Sequence, residues 1–258
     1  QFIFTKDDIS VLNNSVELKL KPGVYNFVVW SDYIRGVNSD LYYDTSNFEE
    51  ISLKGDVHNG SCDYRDAFVG STTCEVSKNH SETTVEMSRP MAKFNFISDD
   101  VSKFVSTIKT IRAEKNRSNV HNQSSEANNA SEGNDIQFSD FDVVFRYNGF
   151  MPHVFNPYIN KPSDAKTNVS FKSKIKILEN GDAELGFDYV FVNGTESLVN
   201  VSVEIYDNDG ELISSFKPID VPLVRSKLTT IKANFLTSGI GGVAIIPGFD
   251  GEYNYQVD

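Results

Sequence analysis

The composition of this 258-residue chain is that of a folded protein with no electrostatic preference for nucleic acid. Hydrophobic residues make up 39% of the chain and aromatic residues 12%, which is enough for a sizeable core and too much for a disordered protein. The formal net charge is −12, and no cluster of lysines and arginines offers a phosphate-binding surface, so neither nucleic acid nor anionic lipid is an expected partner.

The first third of the chain alternates apolar and polar residues in short runs. Residues 2–4 have the pattern of a strand start, and residues 16–20 and 25–29 alternate on either side of Pro22-Gly23, which predicts a hairpin. Further short strands are predicted at 41–43, 51–53 and 67–74.

The pattern changes from strand to helix near residue 98. Residues 83–97 predict a strand pair interrupted at Pro90, with Phe94 and Phe96 on one face. One amphipathic helix is predicted next from apolar residues at helical spacing, namely Val101, Phe104, Val105, Ile108 and Ile111. Residues 115–135 are almost free of apolar side chains, which predicts a mobile loop.

A break in the pattern suggests two domains. A strand is predicted at 141–147, and residues 148–164 then place three prolines among several aromatics, which indicates an irregular connection. We therefore expect an N-terminal β-sandwich domain at residues 1–160 and a C-terminal β-sandwich domain at 161–258.

Residues 183–237 have the strongest strand pattern in the chain. Alternation predicts strands at 183–191, 199–206, 212–216 and 229–235, with Asn208-Asp209-Gly210 as a tight hairpin turn. In the first of these strands one face carries Ala183, Leu185, Phe187, Tyr189 and Phe191, and the other carries Glu184, Gly186 and Asp188. Pro218 and Pro222 predict a corner, since neither can donate a hydrogen bond to a sheet. Sequential strands joined by short turns predict an antiparallel, all-β sandwich.

No sequence motif indicates catalysis or a cofactor. The chain has no phosphate-binding loop, no H-E-x-x-H and no G-x-S-x-G, and all of its histidines lie in predicted loops or connections. Cys62 and Cys74, flanked by His58 and His80, suggest a local disulfide or two free thiols, and less readily a zinc site. The oxygen-rich segment 207–211 fits a hairpin turn better than a calcium loop.

Several segments resemble fimbrillin-like proteins, the surface lipoproteins and type V pilus subunits of Bacteroidales. In the first half these are PGVY running into FVVWSDY, then EMSRPMAKFNFIS and YNGFMPHVFN. In the second half they are AELGFDYVFVNGTES, VPLVRSKLTTIKANFLT and FDGEYN. The resemblance covers nearly the whole chain and implies two transthyretin-like antiparallel β-sandwich domains with one short helix.

The resemblance also implies export and assembly by strand exchange. Because the sequence starts at Gln1 rather than Met, we expect a targeting segment ahead of it. The resemblance implies that a lipid-anchored cysteine also precedes Gln1. In pilus-forming relatives an arginine-specific protease removes an N-terminal strand, and a strand of the next subunit fills the groove. The candidate displaced strand is Phe2, Ile3 and Phe4, although the nearest basic residues are lysines and the first arginine is Arg35. The candidate donor strand is Tyr253, Tyr255 and Val257, which could equally complete its own sheet.

Three functions follow from these observations. The first is a non-enzymatic fimbrial subunit or adhesin at the cell surface, outer membrane or fimbrium, with other pilus subunits or host and bacterial surface ligands as partners. The second is a surface lipoprotein that binds carbohydrate or protein without polymerising, with Trp30 and Tyr33 beside Asp32 as its platform. The third is a hydrolase with a carboxylate pair facing across a cleft.

Overall fold

The computed structural model describes residues 15–36, 39–121, 136–237 and 244–247. The strands of the first half are β1 (Gly23–Asp32), β2 (Ile34–Gly36), β3 (Ser39–Asp40), β4 (Tyr43–Asp44), β5 (Ile51–Leu53), β6 (Ala67–Val76), β7 (Met91–Ser98), β8 (Asp142–Tyr147) and β9 (Met151–Asn156). Those of the second half are β10 (Lys161–Lys166), β11 (Ser170–Lys174), β12 (Lys176–Ile177), β13 (Ala183–Phe191), β14 (Glu196–Tyr206), β15 (Leu212–Val224), β16 (Leu228–Ala233) and β17 (Ala244–Pro247). Helix α1 (Val101–His121) lies between β7 and β8, and short 3-10 turns form at Asp63–Arg65 and Phe138–Asp140.

Two sheets form a β-sandwich, which confirms the predicted fold class. One sheet has the order β11-β8-β14-β15 and the other β12-β13-β7-β16-β17. Their facing side chains make the larger hydrophobic core, with Phe96, Phe145, Val201 and Leu223 fully buried in it. All strand pairs of the sandwich are antiparallel except β7 with β16, which run parallel.

A second hydrophobic cluster lies on the other face of β13. It joins the two-stranded sheet β1-β6 and the sheet β10-β9-β5-β4 to the aromatic residues Phe187, Tyr189 and Phe191. The half-buried Trp30 packs against this cluster, with its ring 5.4 Å from that of Tyr43. Strand β13 is therefore covered on both faces, which explains its almost uninterrupted apolar sequence.

A β-bulge in β13 changes which residues share a face. The sequence predicted that five alternating residues of this strand face the same way, from Ala183 to Phe191. The pairing with β7 shifts register between Glu184 and Gly186, so Leu185 enters the sandwich core and Phe187 enters the second cluster. Gly186 allows the bulge because its φ is +157° and a Cβ there would lie 2.6 Å from the ring of Phe145.

Three local predictions about turns and connections are wrong. Strand β1 pairs with β6 and not with residues 16–20, so Pro22-Gly23 is not a hairpin turn. Residues 148–164 contain the hairpin of β9 and β10 in place of an irregular connection. Pro218 and Pro222 lie within β15, which tolerates them because it is the edge of its sheet and has a bulge beside Pro218.

The predicted helix exists and is longer than the sequence suggested. Phe104 and Ile108 are buried in the sandwich core, as their helical spacing predicted. The helix continues through His121, so the loop predicted at 115–135 does not begin at Lys115, and residues 122–135 lie outside the described ranges. Within the described ranges, no helix has the length and hydropathy needed to cross a membrane.

The predicted domain boundary at residues 160 and 161 does not separate the sheets. Strands β9 and β10 lie on either side of it and pair with each other. Strand β8 pairs with β11 and β14, and β7 pairs with β13 and β16. Both halves of the chain therefore contribute to the same sandwich, because strands distant in sequence supply the hydrogen-bond partners.

Candidate functional site

The candidate strand-exchange residues lie outside the described ranges. This applies to Phe2, Ile3 and Phe4 at the start of the chain and to Tyr253, Tyr255 and Val257 at its end. Strand β17 precedes that C-terminal segment and occupies an edge of the five-stranded sheet.

Of the two alternatives for Cys62 and Cys74, a local disulfide or two free thiols, the structure has two free thiols. Cys62 donates a hydrogen bond to the Tyr42 hydroxyl at 3.0 Å, whereas Cys74 lies on β6 opposite Tyr25. His58 is engaged elsewhere, in contact with Asp188. No metal-binding cluster of histidine, cysteine and acidic residues occurs in the part of the chain that is described.

Within the described ranges, one edge of strand β1 has no pairing strand, and this edge is called the open edge. The strand pairs with β6 over its ten residues, and no other described strand pairs with it. On the far side of β6, Val69 exchanges two backbone hydrogen bonds with Ser88, each 2.9 Å long. The backbone N–H and C=O of Val69 therefore point away from β1. Trp30 is the residue of β1 paired with Val69, so the N–H and C=O of Trp30 point away from β6. By the same alternation, Val28 and Asn26 also direct their N–H and C=O groups to the open edge.

Side chains on β1 anchor this edge to the second cluster. The indole Nε1 of Trp30 donates a hydrogen bond to Asp32 Oδ2 at 2.8 Å. Burial, reinforced by nearby Asp40, raises the pKa of Asp32 to about 6 although Trp30 and Lys54 oppose the shift. Trp30 is half-buried and is therefore not an exposed platform residue, whereas exposed Tyr33 packs edge-on against Tyr64 at 5.4 Å.

A buried charged network links the two halves of the chain. Asp188 on β13 is 1% exposed and forms an ion pair with Arg65, which is 2% exposed. Tyr147 donates a hydrogen bond to Asp188 Oδ2 at 2.6 Å, and His58 Nε2 lies 2.5 Å from the same oxygen. Arg65 also donates to the backbone oxygens of Asn59 and Tyr189, so the loop before the 3-10 turn is tied to β13.

The partners of Asp188 keep it ionised despite its burial. Burial alone would raise the pKa of this carboxyl, but Arg65, His58 and Tyr147 outweigh it and lower the pKa below its usual value. Burial and the carboxylate together raise the pKa of Tyr147 well above its usual value. This arrangement is that of a buried, fully partnered ion pair, which ties the loop before the 3-10 turn to β13.

A cavity opens above this network. Its volume is about 270 Å³, and the loops 54–59 and 166–170 form its walls. Tyr42, Met151 and His153 also line it, and Arg65 and His58 join it to the buried network.

Sequence reasoning did not identify this cluster. The available signal was Asp188, the one acid within an otherwise apolar stretch of β13 from Leu185 to Phe191. An acid in a strand that is buried on both faces needs a partner, but the alternating pattern assigned Asp188 to a polar face. Its partner Arg65 is 123 positions away in the chain, so no local pattern could identify the pair.

Solved structures of Bacteroides proteins are similar to this chain at low sequence identity. A candidate cell adhesion protein of Bacteroides ovatus is 14% identical with a TM-score of 0.48, covering 97% of this chain and 74% of that one. A second, from Bacteroides uniformis, is 10% identical with a TM-score of 0.40, covering 89% and 73%. A candidate adhesin of Bacteroides thetaiotaomicron is 13% identical with a TM-score of 0.39, covering 85% and 74%.

The comparison with curated proteins gave no match. One family model matches residues 4–258, which is almost the entire chain. The chain therefore belongs to DUF6562, a family of unknown function.

Proposed function

We propose that this chain is a non-enzymatic cell-surface protein of the adhesin or fimbrial-subunit type that binds its partners by adding a β-strand to β1. The observation that carries the proposal is the open edge of β1, where Asn26, Val28 and Trp30 direct backbone N–H and C=O groups away from β6. An unpaired edge of this length is a template for strand addition, with backbone hydrogen bonds supplying affinity.

The small size of the β1-β6 sheet favours a third strand. A two-stranded antiparallel sheet is marginal by itself, and three strands with a buried face are usually needed for stability. Strand β1 is half-buried from Phe27 to Asp32 and is not a fully solvated ribbon. A strand added beside it would extend a surface that already packs on the second cluster through Trp30.

Two segments of this chain are suited to that position. The N-terminal strand with Phe2, Ile3 and Phe4 would occupy it within one molecule until a protease removes that strand. The C-terminal strand with Tyr253, Tyr255 and Val257 would occupy it in the next subunit. On this proposal the protein is exported and displayed at the outer membrane or in a fimbrium through a lipid anchor, and its partners are other subunits or surface ligands.

Limited proteolysis tests the proposal directly. The full-length precursor is digested with an arginine- or lysine-specific protease and examined by SDS gel without boiling and by negative-stain microscopy. Loss of the N-terminal strand should produce a detergent-resistant ladder of oligomers. A product that is trimmed and strictly monomeric would contradict strand exchange and leave the non-polymerising binding protein as the better description.

A single substitution locates the exchange at β1. Val28→Pro removes one N–H from the open edge and none from the pairing with β6, so the domain should fold but the ladder should disappear. Val28→Thr keeps the N–H and the β-branched shape, and should still polymerise. Far-UV circular dichroism and Trp30 fluorescence verify that both variants are folded. Polymerisation of a folded Val28→Pro protein would exclude β1 as the acceptor.

A further inference from the structure

Strand β1 lacks the residues by which two other edge strands discourage pairing with another chain. Edge strand β11 carries Lys172 and Lys174, and edge strand β15 contains Pro218 and Pro222. Lysine and proline on an edge strand both oppose the addition of a further strand. Strand β1 has neither residue type along its length, and Asp32 at its end is its one charged side chain. Any electrostatic control of this edge by β1 itself therefore depends on Asp32.

The carboxyl of Asp32 lies on the face of β1 that packs on the second cluster. Trp30 is on that face, and its indole Nε1 donates to Asp32 Oδ2 at 2.8 Å. Because Asp32 is two residues from Trp30, its backbone N–H and C=O also point to the open edge. A charged side chain that points inward from an edge strand is one of the means by which proteins prevent strand addition.

The groups that face this carboxyl come from four neighbouring segments. They are Trp30 on β1, Asp40 on β3, Tyr43 on β4 and Lys54 after β5. Lys54 Nζ lies 4.0 Å from Asp40 Oδ2, so its charge is shared with a second carboxylate. Burial raises the pKa of Asp32 to about 6, and Asp40 adds to the shift while Trp30 and Lys54 oppose it. The carboxyl therefore changes its charge under mildly acidic conditions.

A strand added to β1 would remove water from this carboxyl. Paired strands lie about 4.8 Å apart, and residues opposite each other have side chains on the same face. The residue opposite Asp32 would therefore cover the carboxyl from the open edge. Burial of an ionised carboxylate without a new partner costs much more free energy than burial of the protonated form. Strand addition is thus favoured when Asp32 carries a proton.

The acidic composition of the candidate donor strand strengthens this dependence. Residues 249–258, FDGEYNYQVD, include Asp250, Glu252 and Asp258 and no lysine or arginine. This segment therefore has no cationic side chain to replace the water that ionised Asp32 would lose. Its own carboxylates repel that charge, and the repulsion ends when Asp32 is protonated.

We infer that the charge of Asp32 controls strand addition at β1: the ionised carboxylate opposes it at neutral pH, and the protonated carboxyl permits it in mildly acidic surroundings. The inference rests on the proposed function, because it concerns the regulation of strand addition at the same edge. The added strand is the C-terminal strand of a second copy of this chain. Asp32 would then decide under which conditions the subunits join.

Growth of the oligomer ladder at different pH values tests the inference. The full-length precursor is trimmed, the protease is inhibited, and the product is divided between buffers at about pH 5.5 and about pH 7.5. The ladder should grow about tenfold faster in the more acidic buffer, because most of the Asp32 carboxyl is protonated there. Resistance to detergent separates strand exchange from precipitation near the sequence pI of about 4.8.

Matched variants identify Asp32 as the titrating group. Asp32→Asn keeps an oxygen that accepts from Trp30 but cannot ionise, so its ladder should grow rapidly in both buffers. Lys54→Gln should move the midpoint of the pH profile upwards and Asp40→Asn should move it downwards, since their charges act on Asp32 in opposite directions. Asp44→Asn is the control and should leave the profile unchanged, because a hydrogen bond from Ser46 lowers the pKa of Asp44.

The outcomes distinguish failure of the inference from failure of strand exchange. Equal growth of the parent ladder in both buffers would contradict control by Asp32 and leave strand exchange in place. A folded Asp32→Asn protein with the pH profile of the parent would assign the dependence to other groups and overturn the inference. Absence of a ladder from the parent and from Asp32→Asn in both buffers would contradict strand exchange, and the inference with it. Circular dichroism and Trp30 fluorescence verify that each variant is folded.

Discussion

Asp188 is a fully ionised carboxylate at the junction of the two hydrophobic clusters. It accepts hydrogen bonds from Arg65 and Tyr147, and its own strand β13 contributes side chains to both clusters. Removal of one member of a buried ion pair leaves the other charged and unpartnered, which costs far more than the pair contributes in net stability. A substitution in this network that removes one charge should therefore lower the free energy of unfolding strongly.

Substitution of Asp188 tests this view. Asp188→Asn keeps the shape but leaves the Arg65 charge buried, so the free energy of unfolding should fall by about 3–5 kcal/mol. Urea unfolding followed by circular dichroism measures the change. Asp209→Asn, in the exposed turn before β15, is the control and should stay within about 0.5 kcal/mol of the parent. A loss below about 1 kcal/mol for Asp188→Asn would mean that water reaches Arg65.

The same network predicts how the protein responds to acid. The pKa of Asp188 is lower in the folded state than its usual value of 3.8, so the folded state binds this proton less readily. The ionised carboxylate contributes its full stabilisation at pH values above 3.8, and this stabilisation is lost as the pH falls through the folded-state pKa. Unfolding free energies measured between neutral and acidic pH should therefore decline less steeply for Asp188→Asn than for the parent chain.

Asp32 should have the opposite pH dependence. Its pKa is raised from 3.8 to about 6, so the folded state favours the protonated form, and stability falls as the pH rises through this interval. Asp32→Asn should therefore stabilise the fold at pH 7.5 by about 1 kcal/mol after allowance for solvent screening, and have little effect at pH 4. Thermal unfolding at both pH values measures the difference. Equal effects at the two pH values would show that the carboxyl does not titrate in this interval.

At the scale of elements, the bulge in β13 decides how the two clusters are joined. Before the bulge Leu185 enters the sandwich core, and after it Phe187 enters the second cluster. Without the bulge, one alternating set of side chains would face a single core, as the sequence pattern predicted. The extra residue therefore makes one strand a wall of both clusters.

Gly186→Ala tests the need for this bulge. An added Cβ would lie 2.6 Å from the Phe145 ring and 2.9 Å from the hydroxyls of Ser173 and Ser61, at a φ of +157°. Overpacking and backbone strain together should lower the unfolding free energy by about 2–4 kcal/mol. Gly149→Ala, where a Cβ meets nothing within 4 Å, is the matched control. An unchanged stability in Gly186→Ala would indicate that the bulge relaxes at no cost.

At the scale of the whole molecule, shared strands should make unfolding cooperative. Strands β7 and β13 carry residues of both clusters, since Met91 and Phe187 lie in one and Phe94 and Leu185 in the other. Loss of either cluster would expose the strands on which the other depends. We therefore expect one unfolding transition in place of the two that separate domains at 1–160 and 161–258 would give.

Trp30 provides a local probe of this cooperativity. It is the only tryptophan of the chain and packs on the second cluster, so its fluorescence reports there, whereas far-UV circular dichroism reports on all strands. Leu185→Ala, in the sandwich core, should cost about 2–5 kcal/mol and shift the midpoints of both signals equally. An unshifted fluorescence midpoint would show that the two clusters unfold independently.

Local features of the fold could be read from the sequence because backbone geometry produces them. Alternation at Val199, Val201, Val203 and Ile205 predicted β14, since successive side chains of a strand point to opposite faces. The helical spacing of Phe104 and Ile108 predicted α1, and Gly210 with a φ of +79° closes the predicted hairpin between β14 and β15. The all-β sandwich follows from these local patterns taken together.

Only the tertiary structure decided which strands pair with each other. It also decided which face each side chain of β13 occupies and where the cavity and the Asp188 network form. The pairing of β1 with β6, the parallel pairing of β7 with β16 and the contact of Arg65 with Asp188 join residues far apart in the chain. Alternation shows that a strand is half-buried but does not show which strand lies beside it, and one bulge reverses its faces. By itself the sequence determined strands such as β13, β14 and β16, the helix and the all-β sandwich class. The tertiary structure decided the open edge of β1 and the cavity above Asp188, because both form where distant segments pack together.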